Sequence, residues 1–471
     1  MTVELQRSGF KGKRLALRNL TATVLTWVLV AAIIWRPVAA EARGISLIRD
    51  AEIEHTLLVF ATPIFKVAGI PPEATTIALA NDQEINASTF AGYTMLYNTG
   101  LLTASDTPDQ VIGVMAHEIG HMAGGHVARS REGMENAAMI ATLATLLGMA
   151  AAIGSGRGDA AAGVIAGGQE LAMRSFFAFT RSQEGSADEA GMSYMEQLGW
   201  SSKGLLEFME KLANQELRPT SQQDEFVRSH PLTQNRIDAL RDFVEHRSKH
   251  TNDPLPAEFN ELHARMKAKL IGFLRPDMAL RRYPETDKSI SARYARAIAK
   301  YQKGDVNQAV AMVDDLIRVE PQNPYFYELK GQILFENGRA AEAIQPYGMA
   351  VKLAPKSDLI QTAYAHAIVE TGNDRLLDEA ITHLQESLRI DHDQMLSWQL
   401  LSSAYARKGL EPQLAYARAE EALSRGDVRA AKFHAAKAEQ MLPKGSPEWI
   451  RAQDIRVLID SHPLAMQQRG G

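Results

Sequence analysis

The 471-residue chain contains no cysteine. Disulfides, cysteine-based zinc clusters and a thiol nucleophile are excluded together. The absence agrees with an oxidising compartment without requiring one. No Ser/His/Asp sequence signature of nucleophilic catalysis competes. Positive charge is also short: 51 Lys and Arg face 56 Asp and Glu, a net charge of −5. At the very start, Arg7, Lys11, Lys13, Arg14 and Arg18 stand against Glu4 alone. An apolar run over residues 20–34 follows, then Pro37 and the small residues Val38, Ala39 and Ala40. This is the form of a secretory signal cleaved after about Ala40. The run is shorter than the ~20 residues of a comfortable bilayer span, and no cysteine follows the cut to carry a lipid. Without residues 1–40 the chain keeps 45 Lys and Arg against 55 Asp and Glu. A protein that acidic is a poor nucleic-acid binder, so none is expected as a partner.

What is present centres on His117-Glu118-Ile119-Gly120-His121. Residues four apart share a helix face, so His117 and His121 can offer two imidazoles to one metal ion. Glu118 beside them can serve as general base toward a water at that ion. Zinc suits such a site because it takes nitrogen and oxygen ligands and has no redox chemistry. A third ligand is needed. The metzincin spacing would place a histidine at position 127, which is Val127. His126 comes one residue early, after Gly124-Gly125 where the helix should end, and reads as structural. A glutamate on a later helix, with an aspartate four residues beyond, is the other solution. Glu184 and Asp188 supply it: Glu184 as ligand, Asp188 as acceptor of the free N–H of a ligand histidine. Asp106 is expected to cap the metal helix, and Val111, Val114, Met115 and Ile119 to form its buried stripe.

The pair of motifs, His-Glu-Ile-Gly-His at 117–121 and Glu-Gly-Ser-Ala-Asp at 184–188, resembles the gluzincins that include the CAAX prenyl protease, the heat-shock membrane protease and their soluble relatives. Asn86-Ala87, Gly100-Leu101-Leu102, Ser229-His230-Pro231 and Arg236 match the same pattern, over roughly residues 45–250. The resemblance implies a small sheet whose edge strand, at Asn86 and Ala87, pairs with substrate peptide; the plainer alternative is that Asn86 closes a turn. It implies that His230 can fill the fourth zinc position and hold the enzyme latent. Pro231 keeps His230 extended and therefore in a loop, and a simple hydrogen-bonded loop histidine is the alternative. Arg236 would brace that loop or steady an oxyanion.

Elsewhere, strands are expected at 75–80, 85–91 and 93–97, and helices over 192–213 and 233–248. Residues 137–172 form two apolar arms rich in Ala and Gly around a Gly-Ser-Gly break. Each arm is short for a bilayer, so the segment reads as a lid or as a hairpin making peripheral membrane contact. From about 290 a repeat begins. Tyr294, Ala297, Tyr301, Ala309 and Pro321 are echoed by Tyr327, Gly331, Leu334, Ala343 and Pro355, and the two prolines are 34 apart, the tetratricopeptide period. The expected fold is an α+β zincin-like metalloprotease domain at 41–256, mostly helical with a small sheet. A linker at 257–290 and an all-α tetratricopeptide solenoid at 291–460 complete it. This architecture resembles the β-barrel assembly-enhancing proteases of the Gram-negative periplasm. The resemblance implies a periplasmic endopeptidase and chaperone with one zinc per chain. Its clients would be unfolded or misassembled outer-membrane β-barrel proteins, and its repeats would reach the barrel assembly machinery. The alternative is mainly a client-binding chaperone with a latent metal site.

Overall fold

A computed structural model describes residues 46–461, apart from 91–92, 156–157, 214–222 and the side chains of 150–161. The expected signal peptide lies outside them. Four strands, β1 (Leu47–Ile48), β2 (Thr76–Ala80), β3 (Ala87–Phe90) and β4 (Thr94–Asn98), form one sheet in the order β1-β2-β4-β3. β2 runs parallel to β4, while β3 pairs antiparallel with β4 and is left at the edge. Three of the strands fall within two residues of their expected bounds, and the two-residue β1 is an addition.

Against this sheet pack α1 (Ala51–Val67), α2 (Thr99–Ala104) and α3 (Pro108–Ala123), the helix carrying the histidine pair. α3 buries more than the expected stripe. Ile112, Ala116, His117 and Glu118 are buried along with Val111, Val114, Met115 and Ile119, because later helices cover the face left open by α1 and the sheet. Nor does Asp106 cap it. The helix starts at Pro108, a position that tolerates a missing N–H, and the Asp106 carboxylate instead meets Lys211 at 2.7 Å. At the far end Gly125 takes φ 63°, a left-handed conformation natural to glycine. The chain then turns straight into α4 (His126–Ser155).

α4 and α5 (Gly158–Gln197) form a long helical hairpin that contains the expected apolar arms. Its seam is built from small residues, with Gly168 tight against Ala144. The larger apolar side chains, among them Met139, Leu143, Leu146, Leu147, Leu171 and Phe177, are therefore turned outward and exposed. Among the described residues no helix is long and apolar enough to cross a membrane. α6 (Lys203–Ala213), α7 (Glu225–Ser229) and α8 (Gln234–Asp242) close the layer. The helix expected to run to 248 loosens after Asp242 into a wider turn through Arg247.

The segment read as a linker is two packed helices, α9 (Ala257–Leu274) and α10 (Pro276–Arg282). Phe259, Met266 and Leu270 of α9 enter the same core as Phe60 and Met115. Ten helices follow as five antiparallel pairs: α11 (Ile290–Gln302) with α12 (Val306–Val319), α13 (Pro324–Glu336) with α14 (Ala340–Leu353), α15 (Asp358–Glu370) with α16 (Leu377–Ile390), α17 (Met395–Lys408) with α18 (Glu411–Ser424), and α19 (Val428–Met441) with α20 (Pro447–Ser461). Gly304, Gly338 and Gly372 recur at the turn inside the first three pairs, all with positive φ.

Charge fastens the first part of the chain to this array. Lys269 of α9 is only 3% exposed, 2.8 Å from Asp50 and 3.4 Å from Glu52. Glu52 also accepts from Tyr294 at 2.8 Å and from Arg265 at 3.2 Å. Arg49 reaches Asp358 and Asp391, at 3.2 and 3.1 Å. Removing one partner of a buried ion cluster strands the others, at a cost of about 3–5 kcal/mol. Lys269→Ala should therefore lower the denaturant midpoint strongly, whereas Lys303→Ala on the surface should not. Equal, small shifts for the two variants would show that the cluster carries no such energy.

Candidate active site

Two helices crossing at close range build the site. A Cβ on Gly120 of α3 would sit 2.7 Å from the Ala187 carbonyl oxygen of α5, and one on Gly191 of α5 would sit 3.2 Å from Ala116 and His117. These glycines let the backbones approach. His117 and His121, on successive turns of α3, then face Glu184 and Asp188, on successive turns of α5. The loop after α7 adds His230. His117, His121, Glu184 and His230 each offer a ligand atom, all within 4.8 Å of one another and all buried.

Their spacing suits a metal ion. His117 Nε2 lies 3.0 Å from His121 Nε2 and 3.4 Å from His230 Nδ1. Glu184 lies 3.1 Å from His230, 3.3 Å from His121 and 3.4 Å from His117. Bonds of about 2.0–2.1 Å to a tetrahedral zinc hold ligand atoms about 3.3 Å apart. Charge suits it as well. Glu118, Glu184 and Asp188 bring three carboxylates into an environment at most 4% exposed, and Arg236 is the guanidinium that meets them. With the imidazoles neutral, as metal ligation requires, the remaining deficit would be two positive charges, those of a divalent cation.

The surrounding bonds fix the rings. His117 Nδ1 meets Asp188 Oδ1 at 2.8 Å, and Arg236 donates to both oxygens of Asp188 at 2.7 and 2.9 Å. The same guanidinium reaches Glu184 at 3.0 Å and donates to the Pro231 carbonyl at 2.9 Å. Arg236 thus ties the loop at Pro231 to both of these α5 carboxylates. Burial opposes charge on His117, but Asp188 and Glu184 outweigh it and raise the ring to about 9. Burial lowers His121 to about 3 despite Glu184. Glu118 is pushed up by burial, against the pull of His230 and His117. Neither of its oxygens has a hydrogen bond, and the nearest partner is His230 Nε2 at 3.3 Å. A buried carboxylate left without a hydrogen bond is rare enough to require a reason.

Two neighbours had been missed. His126, set aside as structural, places Nδ1 2.9 Å from His121 Nδ1 and so orients that ring as Asp188 orients His117. The glycine pair that ended α3 is what swings it back, and that was the available signal. Phe226 lies over His230, ring centroids 4.8 Å apart; nothing in its sequence context marked it. Asn86 precedes β3, and its carbonyl accepts from Asn98 at 3.0 Å. Ala87 opens the edge strand, which packs beside α3.

Gly120→Ala should force α3 and α5 apart, lowering stability by about 1–3 kcal/mol and weakening metal retention in dialysis. Unchanged stability and retention would show that the crossing has slack.

Residues 47–244 match the Peptidase family M48, and residues 294–358 match the tetratricopeptide repeat. The chain is 26% identical over 389 residues to the β-barrel assembly-enhancing protease of Yersinia pestis, covering 80% of this chain and 77% of that protein. To the protein of the same name from Escherichia coli (strain K12) it is 27% identical over 352 residues, 73% of this chain and 69% of the relative. A putative member from Vibrio cholerae is 26% identical over 379 residues, 79% and 75%. With the ligand cluster inside the region that matches the M48 peptidases and the repeats behind it, the chain is similar along most of its length to the β-barrel assembly-enhancing proteases, in a metallopeptidase part and in a tetratricopeptide array.

Proposed function

We propose that the protein is a zinc-dependent endopeptidase and chaperone of the Gram-negative periplasm that degrades misassembled outer-membrane β-barrel proteins and aids the assembly of others. The observation that carries the reading is the convergence of His117, His121, Glu184 and His230 on one point beside Glu118, whose oxygens make no hydrogen bond. Zinc, one per chain, would be held by His117, His121 and Glu184 and would supply Lewis-acid activation of water and of the scissile carbonyl. Glu118 takes the proton of the attacking water and later delivers it to the leaving amine nitrogen. Asp188, itself gripped by Arg236, keeps His117 in one tautomer. The free edge of β3, from Ala87 on, holds the substrate as an added strand through backbone bonds that are nearly blind to its side chains.

His230 is assigned as a latch. Its imidazole stands 3.1 Å from Glu184 and 3.3 Å from Glu118, where it would complete a closed four-ligand shell while catalysis needs an open position. Arg236 braces the latch loop through Pro231. The repeats, from about 291 to 460, would recruit unfolded barrel proteins and the barrel assembly machinery. The outward apolar face of the α4–α5 hairpin, over 137–172, suits peripheral membrane contact. Residues 1–40 are assigned as a cleaved signal peptide, and 41–256 as the protease domain. A second reading, mainly a chaperone with a latent metal site, draws on the same position of His230.

Elemental analysis of the full chain should find about one zinc, absent from His117→Ala and His121→Ala; stoichiometric zinc in either variant would overturn the ligand assignment. Asp188→Ala should retain zinc with roughly 10–100-fold lower affinity. Glu118→Gln should keep the metal and stop cleavage of an unfolded barrel protein while client binding survives. Continued cleavage by that variant would remove Glu118 from the chemistry. His230→Ala should cleave faster with zinc retained; a fall to the level of Glu118→Gln would make His230 a participant and end the latch assignment.

A further inference from the structure

Backbone groups along a strand point alternately to its two sides. The Asn86 carbonyl faces β4, where Asn98 N–H donates to it at 3.0 Å. By that alternation Ile85, Ala87 and Thr89 present their N–H and carbonyl groups to the free edge. Among the described residues no backbone hydrogen bond takes those of Ala87 and Thr89. At Ile85 both are taken, and by the segment that carries the latch. The Ile85 carbonyl accepts from Phe226 N–H at 3.0 Å, and Ile85 N–H donates to Asp224 Oδ1 at 3.4 Å. One residue earlier, Glu84 pairs with Arg228 at 3.1 Å. Asp224 precedes α7, Phe226 and Arg228 lie in it, and His230 follows it at once.

We propose that α7 occupies the outermost rung of the substrate edge. A peptide long enough to reach Ile85 competes with Asp224 and Phe226 for it, and in winning withdraws His230 from the metal ligands. Ile85, Asp224 and Arg228 are thereby specificity determinants: they make activation depend on the length of extended chain bound, not on its side chains. This rests on the edge-strand and latch assignments made above. The exchange is nearly even in hydrogen bonds, because each bond lost at Ile85 is replaced by one from the incoming strand. The Glu84–Arg228 pair is half exposed and holds weakly. A five-residue helix has no stability of its own, so α7 keeps its place through these contacts and the burial of Phe226 and Val227 in the core. Phe226 is the pivot. It is fully buried, 5.6 Å from Phe208, and its other neighbour is the His230 ring. Rotation about it frees Ile85 and carries the latch. A short peptide, pairing with Ala87 and Thr89 alone, leaves the latch closed.

The test uses the full chain and two unfolded peptides with one shared central sequence. The short one spans only the Ala87 and Thr89 rungs, and the long one extends it at both ends. Hydrogen exchange is followed on the metal-free Glu118→Gln protein, so the readout does not depend on activity. Both peptides should protect the Ala87 and Thr89 amides. Only the long one should speed exchange at 226–230, by about tenfold, as expected for losing one to two hydrogen bonds. In zinc-loaded protein the long peptide should show a kcat/KM about tenfold above the short one, on the same hydrogen-bond scale. Asp224→Ala/Arg228→Ala should bring that ratio toward one by raising cleavage of the short peptide. Arg228→Glu, a surface change that opposes Glu84, should do the same in part while leaving the α7 cap intact. Protection at Ala87 and Thr89 by the long peptide with exchange at 226–230 unchanged would overturn the proposal. An unaltered length preference in both variants would overturn it too. Failure of either peptide to protect Ala87 and Thr89 is a different result: it would overturn the edge-strand assignment itself and the proposal with it.

Discussion

Three carboxylates and three imidazoles are turned toward one another inside a helical core, and the rest of the catalytic part is arranged to make that tolerable. Buried charge is costly unless paired and hydrogen-bonded. Arg236 supplies one compensation, gripping Asp188 with two nitrogens and Glu184 with a third. With the imidazoles neutral, the remaining two negative charges would match a divalent ion. Packing follows from the same requirement. Gly120 and Gly191 bring two backbones close enough for four ligating and orienting side chains, two from each helix, to meet. α3 is then buried on every side, because an exposed face would admit water to the charges.

The array is joined to this core by a second buried polar cluster, of a different kind. Lys269, Arg265 and Tyr294 surround Glu52, and Asp50 caps α1 while receiving Lys269. Such clusters give less net stability than apolar packing, and they are directional. α9 serves both sides: Phe259 and Met266 look into the protease core, while Lys269 looks toward α11 and α13. The segment expected to be a linker with some helix is packed against both the site-bearing core and the repeats.

Much of the site was legible because it obeys one local rule. Residues four apart on a helix share a face, so His117 with His121, and Glu184 with Asp188, announce themselves. The array was legible through Pro321 and Pro355, whose separation equals one structural repeat. Lys269 and Glu52 were not legible. Each looks like an ordinary charge on an amphipathic helix, and only a tertiary neighbour far along the chain buries it. His126 was set aside because its spacing fits no ligand pattern, yet ring-to-ring support needs only a tight left-handed glycine turn to return the chain. The stripe predicted for α3 was too narrow for a related reason. Periodicity reports the face a helix turns to one neighbour, and α3 has neighbours all round. Strand bounds near 85–90 were close, but nothing in sequence could say which side of β3 is free.

If His230 is the proposed latch on a metal, that free side decides how it can be opened. A bond to zinc is strong in isolation, but a latch is governed by a difference: His230 in the fourth position against water and substrate there. Moving a two-state equilibrium from 1:99 to 99:1 takes about 5.5 kcal/mol. A strand laid along β3 gains a handful of backbone hydrogen bonds, each worth about 0.5–1.5 kcal/mol net, which is the same order. Side-chain recognition need contribute nothing to reach that figure, provided the incoming chain is extended and its own backbone is unpaired. Folded barrel strands are paired to neighbours and cannot offer such an edge, whereas unassembled ones can. Under the proposed edge-strand role, the physical property read by the edge of β3 would be the unsatisfied backbone of the client. His230, tied to that edge through Phe226 and Ile85, stands where, as the proposed latch, it would convert that property into an open metal position.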